Sequence, residues 1–80
     1  MRVISQDGSV DAEYADIAFL INRGTILAIF PKISQSKHLM AEYDNEKDAV
    51  LEMSTLHSTY VRLRDNPGCY RFSDKEIYKT

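Results

Sequence analysis

Eighty residues, 44% hydrophobic and 28% charged, suit one small globular domain and exclude a disordered chain. Ten basic and twelve acidic residues leave a net charge of −2, which gives no global pull toward nucleic acid or anionic membrane and is too small for a DNA mimic. No apolar run approaches the roughly 20 residues that cross a bilayer, and the single cysteine, Cys69, excludes an internal disulfide framework.

The first predicted element is a β-hairpin beginning at residue 1, with no leader ahead of it. Asp7-Gly8 suits a two-residue type I′ turn, in which both central residues need φ > 0. Folding there pairs Gln6 with Ser9, Ser5 with Val10, Ile4 with Asp11, Val3 with Ala12 and Arg2 with Glu13. One face then carries Met1, Val3, Val10, Ala12 and Tyr14, and Arg2 meets Glu13 as a cross-strand ion pair. A second hairpin joins Ile17–Ile21 to Ile26–Phe30 through Asn22-Arg23-Gly24-Thr25, with Gly24 as the left-handed residue. Pro31 ends its second strand, Lys32–Lys37 reads as a loop, and His38–Tyr43 forms a fifth strand.

A helix over about 45–64 follows. Asp44 or Asn45 caps it, and Glu46 and Asp48 complement the positive end of its dipole. Ala49, Val50, Met53, Leu56, His57, Tyr60 and Leu63 form its apolar stripe, Ser54, Thr55, Ser58 and Thr59 the opposite face, and Leu51 is exposed. Arg62 and Arg64 suit the last turn, and Pro67-Gly68 stops it. Cys69–Phe72 forms a short last strand, and Ser73–Thr80 a polar tail anchored by Ile77 and Tyr78. The expected architecture is α+β: one domain over 1–72 plus the tail 73–80, with an antiparallel sheet of about five or six strands and the helix on one face.

The central hairpin is apolar on both faces, with Ile17, Phe19, Ile21, Ile26, Ala28 and Phe30 on one and Ala18, Leu20, Leu27 and Ile29 on the other. One helix covers one face, and a sheet with a wet face should alternate polar and apolar residues. Either the tail or a strong curl of the sheet hides this second face, or another protein molecule covers it; on the last reading Ala18, Leu20, Leu27 and Ile29, with Leu51, are the candidate interface, and the expected partner is a second copy, as a two-fold dimer.

Other constellations are thin. His57 near Ser54 and Ser58 lacks the third group and the flanking glycines of a nucleophilic site, and reads as a half-buried residue at the core margin. His38, His57 and Cys69 have no second ligand at metal spacing, and Cys69 reads as a small, partly buried hydrophobe. Asp7, Asp11, Glu13 and Asp16 do not form a calcium loop, and the three glycines stand apart in turns. The expectation is a protein with no catalytic residues, metal or cofactor. The contrasting class is nucleic-acid binding through Arg62, Arg64 and Arg71, with Tyr70 and Phe72 as stacking platforms.

Two stretches carry a resemblance. Met1–Tyr14 (MRVISQDGSVDAEY) is similar to the N-terminus of small uncharacterised proteins of Gram-positive bacteria and their phages and prophages. Ala41–Met53 resembles that group's second landmark: a tyrosine, a helix cap, an acidic first turn and an apolar helix. The chain departs from the pattern in Glu13, where proline precedes the tyrosine, and in Asp44-Asn45, where a Ser-Thr cap is commoner. The resemblance implies an accessory gene product of a mobile element, acting in the cytoplasm, with a host or phage protein as the alternative partner to a second copy, and brings no activity or site residues with it. A lone cysteine agrees with a reducing compartment.

Overall fold

The computed structural model describes residues 1–63 and 68–78. Among these residues six strands and one α-helix run in the order β1 (Arg2–Ile4), β2 (Asp11–Glu13), β3 (Ala18–Asn22), β4 (Thr25–Phe30), β5 (Ser34–Glu42), α1 (Glu46–Arg62) and β6 (Cys69–Arg71). The α+β class stands, but the strands form two three-stranded sheets, β2-β1-β6 and β3-β4-β5. A 3-10 turn at Tyr14–Asp16 separates β2 from β3, and the Tyr14 ring stacks on Tyr60 of α1 at 4.0 Å, fixing the corner. The first sheet is also mixed, because β6 pairs parallel with β1.

The first hairpin has the expected register, Arg2 with Glu13, Val3 with Ala12 and Ile4 with Asp11. Its turn differs. The Gly8 N–H donates to Ser5 O at 3.0 Å, and among the turn residues only Gly8, at φ 82, is left-handed. The Asp7 carboxylate explains this by accepting from the Ser9 hydroxyl, the Ser9 N–H and the Ser5 hydroxyl at 2.7–2.9 Å, holding the loop from its own side chain. Those bonds, the Ser9 hydroxyl first, hold the Asp7 pKa down at about 2.

In the second hairpin the left-handed residue is Arg23, at φ 60, and not Gly24. Gly24 serves close approach: a Cβ there would stand 2.2 Å from the Tyr43 carbonyl oxygen, while Gly24 O accepts from the Tyr43 N–H at 2.7 Å. The stretch expected as a loop at Lys32–Lys37 is mostly strand, since β5 starts at Ser34. Polar residues suffice there because Ser34–His38 lie exposed on an edge strand.

The helix has the expected cap: the Asn45 side chain accepts from the Asp48 N–H at 2.9 Å. Its buried face is rolled from the expected stripe. Ala49, Glu52 and Leu56 are buried, whereas Val50 and His57 are exposed. The core joins Val3 and Phe72 of the first sheet side to Ile26, Ala28, Met40 and Ala41 of the second sheet and Ala49 and Leu56 of the helix. Gln6 ties the two sheets together: its N–H donates to Met40 O at 2.7 Å, and its side chain bonds both backbone groups of Glu42.

Candidate interaction surface and the buried Glu52 cluster

Directly opposed residues of an antiparallel ladder share a face. In the second sheet Ile26 and Ala28 are buried on the side toward α1, so the residues between them point outward. Registration then builds three outward rows: Asn22, Thr25 and Glu42; Leu20, Leu27 and Leu39; and Ala18, Ile29 and Lys37. The middle row is apolar across the whole sheet, with Leu20 41% and Leu39 51% exposed. The structure thus brings Ala18, Leu20, Leu27 and Ile29 together as expected and adds Leu39. The alternation His38-Leu39-Met40 is the signal that could have placed Leu39 there.

Leu51 is exposed, as expected, but it lies on the helix, which covers the opposite side of this sheet. It belongs to a different surface, a groove of about 450 Å³ lined also by Ser54, Ser58, Arg62 and Tyr78. The hydroxyls of Thr55 and Thr59 in the same wall already donate to the carbonyls of Leu51 and Thr55. His57 is exposed, and so is Cys69, against the expectation that each is partly buried. Among the described residues no three His, Cys, Asp or Glu side chains gather as metal ligands.

The nucleic-acid patch does not assemble as a stacking surface. Phe72 is buried in the core, with its ring edge-on to Phe19 and Tyr70. Tyr70 is half-buried and turned inward, Arg71 donates to Gln6 O at 3.2 Å, and Arg64 lies outside the described residues. Aromatic faces turned into the core are not open to bases.

The polar centre that sequence reasoning missed is Glu52, 1% exposed within the helix's apolar face. Its Oε2 accepts from the Tyr70 hydroxyl at 2.6 Å and the Ser73 N–H at 2.8 Å, and its Oε1 accepts from the Tyr78 hydroxyl at 2.5 Å. Tyr43 extends the network by donating to Ser73 O at 2.8 Å. Burial foremost, and the neighbouring Glu52 carboxylate next, raise the Tyr43, Tyr70 and Tyr78 hydroxyls well above the usual tyrosine range. These groups bond one another and the backbone, so the cluster fastens α1 to the segment that follows β6. It docks the segment expected as a polar tail, which turns through a 3-10 helix at Lys75–Tyr78 against α1, with Ile77 left exposed.

Among the described residues no helix is long and apolar enough to cross a membrane. Compared with known proteins, the chain matches no protein-family model, no curated protein and no solved structure.

Proposed function

We propose that this chain is a non-enzymatic interaction protein that self-associates through the outer face of its second sheet. The carrying observation is the uncovered leucine row Leu20, Leu27 and Leu39, flanked by Ala18 and Ile29. Contiguous apolar surface of this kind marks an interaction site in a water-soluble fold. The resemblance of its hairpin and capped helix suggests an accessory protein of phage or prophage origin, acting in the cytoplasm. A nucleic-acid role is not favoured, because Phe72 and Tyr70 point into the core.

The test is sedimentation velocity over about 10 μM to 1 mM, the range of weak specific association. The expected result is an average mass that rises with concentration, and a Leu20→Asp variant that keeps the far-UV spectrum but stays at the mass of one chain. Wild-type protein at single-chain mass throughout would remove the self-association reading.

A further inference from the structure

The outer sheet face carries a charge pattern that selects one arrangement of two copies. Lys37 shares the row of Ala18 and Ile29 at one end of the leucines, and Glu42 shares the row of Asn22 and Thr25 at the other. Both lie on β5, on opposite sides of Leu39, and both are exposed. Neither makes a salt bridge among the described residues.

Resting on the self-association reading above, we infer that two copies stack face to face about a two-fold axis that runs along the leucine row. Rotation about that axis leaves each strand over its own counterpart and reverses the strand direction. Leu20, Leu27 and Leu39 then meet themselves in the second copy. Lys37 comes to lie over Glu42 of the second copy, and by symmetry Glu42 over its Lys37. The contact is isologous, and both charges at its border are paired.

The other symmetric choices lack this match. An axis along the strands lays β5 over β3 of the second copy, so Lys37 faces Ala18 and Glu42 faces Asn22. Edge-to-edge pairing of β3, which bonds only β4 among the described residues, leaves both charges far from the seam. Aligned packing of two twisted sheets is a common geometry, with strands roughly 30° apart and about 10 Å between sheets.

Size sets the strength. Three strands at about 4.8 Å spacing and six residues at about 3.3 Å rise give a face of roughly 14 by 20 Å. That is well below the roughly 800 Å² per partner of a standard stable complex, so the dimer is of the weak, reversible class.

Charge reversal tests the axis. Lys37→Glu places two acidic residues over each other twice in the homodimer, and Glu42→Lys does the same with two basic ones. Each variant alone should dimerise at least tenfold more weakly than wild type by sedimentation velocity. An equimolar mixture should recover association to within a few-fold of wild type, because every border pair is then opposite in charge. Both positions are exposed on the surface, and far-UV spectra check that each variant is folded. If wild type associates while the single reversals and their mixture behave like it, the axis is wrong and the apolar-face reading survives. If wild type never associates, the self-association reading itself fails.

Discussion

A carboxylate in the middle of a helix's apolar face is stable only where donors meet it, and Glu52 has three, from Tyr70, Ser73 and Tyr78. The network sets the response to alkali. In the unfolded chain a tyrosine loses its proton near pH 10, while in the fold Tyr43, Tyr70 and Tyr78 hold theirs to higher pH. Above pH 10 the unfolded state therefore binds fewer protons than the native one, and stability falls as pH rises. The contribution is complete below pH 10 and is lost above it, with a limiting slope of about 4 kcal/mol per pH unit for three tyrosines. Half-buried Tyr70 and Tyr78 contribute less than the full amount. Urea midpoints at pH 8, 10 and 11 should drop steeply over the last step, and Tyr78→Phe should make that drop shallower. A midpoint that stays level to pH 11 would contradict the network. Glu52 was not legible in the sequence, because its partners stand 18 to 26 positions away and nothing local marks a glutamate as buried.

At the scale of elements, what is local was legible. The Arg2–Glu13 register follows from a turn pair, an alternating pattern and two opposite charges within 14 residues, and the Asn45 cap follows from one side chain and an acidic first turn. Roles that depend on a distant neighbour were misassigned. Gly24 looked like a left-handed turn residue, yet it is needed because β5 ends against it, with Tyr43 carbonyl oxygen where a Cβ would sit. Gly24→Ala should consequently cost about 3 kcal/mol or more, since backbone and not a flexible side chain must move. Thermal or urea unfolding measures it, and a loss under 1 kcal/mol would show that the Gly24–Tyr43 contact is loose. The early start of β5 is hidden for a related reason: Ser34–Lys37 are exposed, and a register irregularity sets Gln35 and Ser36 between the paired Ser34 and Lys37, so no apolar alternation marks the strand.

Across the whole molecule, two small sheets and one helix share a core that neither sheet could enclose alone. The strands, the helix and the second apolar face of the central hairpin are legible in the sequence pattern, whereas the division into two sheets and the parallel pair are not. Parallel pairing of β1 with β6 leaves no turn signal, since the strands are joined through everything between them. That pairing also orders events in time. β3, β4 and β5 are consecutive, and loop-closure entropy favours such neighbours early. Arg2 and Ile4 instead bond to Gly68 and Phe72, which leave the ribosome after almost all other described residues. Pulse-labelled hydrogen exchange during refolding should protect Leu27 and Ala28 before Arg2 and Phe72, and the reverse order would refute this sequence of events. During synthesis, then, β1 must wait with one edge open until β6 emerges, and of the described strands the earliest made is among the last to be closed.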